Sequence, residues 1–223
     1  MPTCTTLWRL LETAARWGCV ILLLALAPPP AAGANQQETE QTATEAVKGT
    51  ITALIRVLDD NRLKQPDRAE QRRRTIEELI RSRVDYEEMA KRALGAPWQT
   101  LSERERLEFV GLFVHLLRDT FAGRITEHHD EQIDYLGEHR EDAYAEVRTR
   151  LKGRKTDTSI DFRLIDRAGR WRVYDVVIDG AGIVSNYRAQ FTNIIREASY
   201  AGLVNKMKQK AVAVKIFETA PAP

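Results

Sequence analysis

The chain is short of the residues on which most enzyme chemistry is built. Only two of its 223 residues are cysteine, Cys4 and Cys19, and both precede residue 35. The segment that holds them is built like a leader peptide. Arg9 and Arg16 give it positive charge, Trp17 to Ala27 is apolar, Pro28-Pro29-Pro30 breaks any helix, and Ala32-Gly33-Ala34 is a small-x-small cleavage pattern. An apolar run of about eleven residues cannot span a bilayer, which takes roughly twenty. The sequence therefore predicts a signal peptide over 1–34, cleaved near Ala34, rather than an uncleaved anchor. Arg16-Trp17 just ahead of Cys19 argue against lipid attachment there. Without the leader no thiol remains, which excludes disulfides, zinc–thiolate sites and cysteine catalysis.

An excess of one charge is also missing. The formal charge is +2, and near +1 once Arg9, Arg16 and Glu12 are removed, so no nucleic-acid partner is expected. No serine lies in a G-x-S-x-G elbow. His128-His129-Asp130-Glu131 is the one run that resembles metal ligands. Adjacent histidines point apart and no second Cys/His pair completes a site, so it reads as a solvated loop. "GRKT" (153–156) resembles the tail of a phosphate loop without the upstream glycine or the following helix, and reads as a β-turn. Arg72-Arg73-Arg74 and Lys206/Lys208/Lys210 read as solvated helix faces, and His115 falls in a polar arc. One enzyme reading survives, with Tyr174, Asp175 or Asp179 as acid or base. Asp175 shares strand parity with Trp171 and Val173, which points it inward. A carboxylate at a sheet end more commonly bonds a turn, so neither catalysis nor a cofactor or metal is expected.

What the chain does have is patterning. The 189 residues from 35 onward suffice for a single domain with a sizeable core. After a polar lead-in, Val47, Ile51, Leu54, Ile55 and Leu58 keep a 3.6-residue period up to Asp59-Asp60-Asn61. A second helix runs over about 67–84. Asp85 with Glu88 opens a short third one that ends at Gly95 and Pro97, and Ser102 with Glu105 opens the longest, over about 103–125. On that helix the apolar set from Leu107 to Ile125 spans an arc of about 220°, wider than the ~100° stripe of a surface helix. Either it is buried on two sides in an ordinary core, or one of its faces meets something else that is greasy.

From Ile133 the period becomes two. Ala145, Val147, Thr149 and Leu151 alternate with charged residues, as do Ile160, Phe162 and Leu164, and "DRAG" (166–169) is a hairpin turn into Trp171 and Val173. A Gly180-Ala181-Gly182 corner leads into a helix carrying Tyr187, Phe191, Ile194 and Ile195. A final helix follows over about Tyr200 to Ile216. The class is α+β, with a helical part (45–126), a curved antiparallel sheet (133–179) and closing helices (185–216).

Two stretches carry a family resemblance. "VDYEEMAKRALGAPWQTLSERERLEFVGLFVHLLRDTFAGRI" (84–125) and "YDVVIDGAGIVSNYRAQFTNIIREASYAGLVNKMKQK" (174–210) resemble the corresponding segments of MlaC-like proteins, most specifically in "NYRAQF" (186–191). The resemblance implies an NTF2-like sheet covered by helices and enclosing a deep apolar cavity for phospholipid tails. It also implies a periplasmic monomer that ferries lipid between an outer-membrane lipoprotein complex and an inner-membrane ABC transporter, maintaining outer-membrane lipid asymmetry. Facing parity then puts Val110, Phe113, Leu117, Phe121, Val147, Phe162, Trp171, Val173, Tyr187 and Phe191 on the cavity wall, with Arg188 and Lys206 as docking residues. Trp or Arg in place of Val147 or Phe162 is expected to block lipid uptake and leave the fold intact. Gly182 stands where relatives often carry Ser, and Phe121 where many carry Tyr. Both departures remove a hydroxyl, so the lipid class stays open between phospholipid and a hopanoid or other apolar lipid.

Overall fold

The computed structural model describes residues 41–127, 132–153 and 156–209, and for 121–127 the helical backbone alone. The leader, the His128–Glu131 run, the middle of "GRKT" and the final helix beyond residue 209 lie outside the described residues. The elements follow the order expected. Helices α1 (Ala43–Asp59), α2 (Ala69–Arg83), α3 (Tyr86–Leu94) and α4 (Glu103–Glu127) precede strands β1 (Gln132–Glu141), β2 (Tyr144–Lys152), β3 (Thr158–Asp166), β4 (Trp171–Ile178) and β5 (Ala181–Gly182), and α5 (Ile183–Lys208) closes the chain. Single 3-10 turns at Pro66–Arg68 and Ala96–Thr100 link α1 to α2 and α3 to α4.

Caps set the helix starts. Ser102 and Glu105 form a reciprocal pair at α4, with Ser102 N donating to Glu105 Oε2 at 2.8 Å and Glu105 N donating to Ser102 Oγ at 3.4 Å. Asp85 plays only half of that part at α3. Its Oδ1 accepts from Glu88 N at 3.0 Å, but its own N–H donates to Val173 O, and the Glu88 carboxylate turns to Arg92 at 2.8 Å. A further capping box, Thr42-x-x-Glu45, starts α1 within the polar lead-in.

The five strands form one antiparallel sheet in the order β1-β2-β3-β4-β5. Its register is interrupted at Tyr135/Gly137, and again where Arg163 pairs Asp175 while Leu164 pairs Val173. The second bulge decides which side chains share a face. Directly paired residues project to the same side of a sheet. Val147, Phe162 and Val176 therefore line one face, together with Ala145, Leu164 and Val173. Asp175 pairs Arg163, which alternates with Phe162, and so lies on the other face. Its parity with Val173 is reversed by the bulge at Tyr174.

The core is split. One cluster joins α3, α4 and α5 around Phe109, Phe113, Leu117, Tyr187, Phe191, Leu203 and Met207. A second joins α1 to the dry face of the sheet through Ala43, Ala46, Val47, Ala145, Val147, Leu164 and Trp171.

α5 holds two helices across a break. Ser199 has φ 67° and ψ 173°, a region that suits glycine, and its Oγ accepts from Gly202 N at 3.4 Å, capping the segment beyond. The helix expected after the Gly180–Gly182 corner, and the part up to Lys208 of the one expected from Tyr200, are the two arms of this element.

Candidate functional site

The corner at 178–184 shows how a strand hands over to a helix. Asp179 and Gly180 turn with φ 46° and 81°, β5 pairs Ala181 with Ile178 and Gly182 with Val177, and α5 begins at once. Gly180 is needed for its angle, because nothing stands within 4 Å of where its Cβ would be. Gly182 has an ordinary φ of −74° and is needed for space. A Cβ there would lie 2.9 Å from Ser185 Oγ and 3.2 Å from Asp175 Oδ2. Gly182→Ala is expected to cost about 1–3 kcal/mol, the usual range for overpacking, as read by urea unfolding.

Gly182 stands at the N-cap of α5 without a side chain, and Asp175 supplies the missing acceptor from β4. Its Oδ1 accepts from Val184 N at 3.0 Å and its Oδ2 lies 3.4 Å from Arg163 Nη1. Burial pushes this carboxyl above its ordinary 3.8, outweighing the pull of Val184 and Arg163. Between 3.8 and the raised folded value the native state keeps a proton that the unfolded chain releases, so stability falls as pH rises through that window. Asp175→Asn keeps an acceptor for Val184 and removes the titration. Its stability relative to the parent should therefore improve as pH rises from 3.8 and level off above the folded value, measured by denaturation at stepped pH. Asp175 is thus a cap at a sheet end. Tyr174 packs edge-on against Tyr144 with the Arg92 guanidinium 4.2 Å above its ring, and Asp179 Oδ1 accepts from Ser159 N.

The structure divides nine of the ten expected wall residues between the two clusters. Phe113, Leu117, Tyr187 and Phe191 belong to the helical cluster, and Val110 packs against it. Val147 and Trp171 belong to the sheet cluster, with Phe162 and Val173 packed on its edge. The side chain of Phe121 lies outside the described residues. Arg188 is exposed and Lys206 half-buried.

Each cluster ends in a rim of partly covered apolar side chains. On α4, Phe109, Phe113 and Leu117 recur at four-residue spacing and are buried, while Val110 on one flank of that stripe and Leu112 and Leu116 on the other stay half-exposed, and Leu107 is 69% exposed. On the sheet the partly covered set is Ile160, Phe162, Val173, Val176 and Ile178. The two clusters adjoin at one cross-strand pair, because Phe162 packs on the sheet cluster while its partner Val176 packs on the helical one. Parity could find Phe162 but not Val176, which the bulge moves onto the dry face. In the helical cluster the Tyr187 hydroxyl lies 3.3 Å from Thr120 Oγ and is pushed up to about 12 by burial.

Among the described residues no group of three His, Cys, Asp or Glu is placed to hold a metal ion, and no helix is long and apolar enough to cross a membrane. The family described as MlaC protein matches residues 48–209. The intermembrane phospholipid transport system binding protein MlaC of Haemophilus influenzae is 22% identical over 140 residues, 60% of this chain and 65% of that protein, so the match spans slightly less than two thirds of the relative. A phospholipid-binding protein of Ralstonia solanacearum, solved in complex with a phospholipid, superposes with a TM-score of 0.66 at 21% identity, over 75% of this chain and 96% of that one. That likeness shows a shared fold. The family match, running from the second turn of α1 to the residue after α5, settles the assignment: the chain belongs to the MlaC family.

Proposed function

We propose that this chain is a periplasmic carrier that holds the acyl chains of a phospholipid along the seam between its two clusters and passes lipid between membrane-bound transport complexes. The observation that carries the reading is the pair of half-covered apolar rims, Val110, Leu112 and Leu116 on α4 and Phe162, Val173 and Val176 on the sheet. An ordinary core would close these rims on each other, whereas a carrier leaves them for hydrocarbon.

Magnitudes favour this economy. Two acyl chains withdraw about thirty methylenes from water at ~0.8 kcal/mol each, roughly 25 kcal/mol in all. A bilayer offers nearly the same gain, so a carrier that matches it exchanges lipid reversibly, with the acyl chains carrying most of the affinity. No catalytic group is required. Direction comes from an energy source elsewhere, in the outer- and inner-membrane complexes that the carrier serves. The relatives' names and the bound phospholipid of the Ralstonia structure support the ligand class. The leader-like segment at 1–34 supports export.

Native purification, solvent extraction and mass spectrometry test the reading. Stoichiometric diacyl lipid is the expected result. A hopanoid would change the cargo, and a protein that stays empty and takes no lipid from vesicles would end the reading.

A further inference from the structure

A second feature lies away from the seam. A hollow of about 390 Å³ opens between the end of α3, the turn Ala96–Thr100 and α5. Its polar side chains are Lys91, Arg92, Gln99, Arg188 and Thr192, with Leu94, Gly95 and Ala96 completing the lining. Every one of those polar side chains can donate a hydrogen bond, and no carboxylate lines the hollow.

Arg188 is held in position. Its Nε donates to Arg92 O at 2.7 Å, at the point where α3 ends, and Gly95 at φ 72° leaves open the space in which a Cβ would stand 3.8 Å from that Nε. This anchoring uses one of the five guanidinium N–H groups, and the two terminal nitrogens have no hydrogen bond or ion pair among the described residues. Thr192, four residues on, shares the same face of α5. Lys91 meets Glu88 only at 3.4 Å, and Glu88 is shared with Arg92 at 2.8 Å and Arg167 at 3.4 Å. Arg92 is committed further, stacked over Tyr174 and Tyr144. A pre-oriented guanidinium fork with free ends, a loosely paired ammonium, an amide and a hydroxyl thus converge on one concave space.

We propose that this hollow binds a phosphate-type oxyanion, with the Arg188 fork taking two oxygens and Lys91, Thr192 and Gln99 completing the shell. The phosphate could belong to a lipid headgroup or to a free phosphate ester, and the carrier reading bears only on the first source.

The test titrates the purified protein calorimetrically with inorganic phosphate and with glycerol 3-phosphate, and in parallel measures loading from phosphatidylglycerol and from phosphatidylcholine vesicles. Arg188→Gln is expected to weaken glycerol 3-phosphate binding by about tenfold or more, the value of a charge-assisted fork. Because that change also removes the contact that closes α3, Lys91→Gln and Thr192→Val serve as second variants, each expected to weaken binding several-fold with unfolding midpoints unchanged. A preference for phosphatidylglycerol that disappears with Arg188→Gln identifies a headgroup. Arg188-dependent binding of glycerol 3-phosphate with no such preference identifies a free ester. Unaltered affinity in all three variants, or no binding of either phosphate by the parent, overturns the inference. Binding of acidic peptides alone also overturns it, in favour of a protein partner. Vesicle loading without phosphate binding leaves the carrier reading standing, whereas Arg188-dependent phosphate binding without any lipid loading removes that reading and leaves this one.

Discussion

Val147→Arg should give no folded protein at all. Val147 is 0% exposed, paired to Phe162 on one side and Glu138 on the other, and it belongs to the cluster beneath α1 with Ala43, Ala46 and Val47. The one carboxylate paired across from it, Glu138, is already taken by Thr44 at the start of α1, accepting from its N at 2.7 Å and its Oγ at 2.6 Å, and α1 closes the way to water. An unpaired buried ion costs several kcal/mol even after relaxation, and forcing in the longer side chain adds about 1–3 kcal/mol. Domains of this size hold only about 5–15 kcal/mol in total. The sequence alone suggests a milder outcome, a blocked cavity in an intact fold, because parity cannot reveal that α1 seals this position. Circular dichroism and a denaturant titration decide the matter, and a cooperative unfolding curve near that of the parent would refute the assignment. Phe162→Trp is the informative partner experiment. Phe162 is only partly covered and lies where the two clusters adjoin, so Trp there should leave the midpoint within about 1.5 kcal/mol while displacing lipid from the extract. Full lipid in that variant would remove the seam as the binding place.

Phe113→Ala should be the costliest of the conservative truncations. Phe113 is fully enclosed, with ring centroids 6.3 Å from Phe109, 5.2 Å from Tyr187 and 6.1 Å from Phe191. The Tyr187 and Phe191 rings meet it edge-on, the arrangement that aromatic quadrupoles favour. Removing the ring forfeits those contacts and opens a void that helices fixed at both ends cannot collapse, a loss of about 3–5 kcal/mol. In a domain of this length that corresponds to a melting point lower by roughly 6–20 °C. Leu107→Ala on the same helix should change stability by less than about 0.5 kcal/mol, because Leu107 is mostly in water. Equal effects of the two changes would show that α4 does not bury the face described.

The sequence disclosed the elements more completely than their partnerships. Capping pairs, the change of period at Ile133 and the "DRAG" turn placed nearly every helix and strand, because each is a local rule satisfied within a few residues. The α4 arc was also readable as unusually wide. What local rules could not supply was the partner for each part of that arc. Phe113 and Phe162 were both assigned to one wall by parity, yet they belong to different clusters, since parity names a face and not the element that covers it. Asp175 departs from its parity for another reason. A single extra residue at Tyr174 reverses the alternation, and nothing in the run "WRVYDVV" announces it. Thr42 with Glu45 is different again, a pattern present in the sequence and simply outweighed by its polar neighbours.

The break at Ser199 also matters for anyone who attaches something to this protein. Beyond it the described chain is held inward by Tyr200, which packs on Phe109, and by Leu203 and Met207, and outward by Lys208 to Glu108 at 2.6 Å. A tag or surface linker on the C-terminal side therefore pulls on a handle that can detach by itself. Force-extension records from such a tether would show a small early rip from this arm, ahead of the event that reports the remainder of the fold.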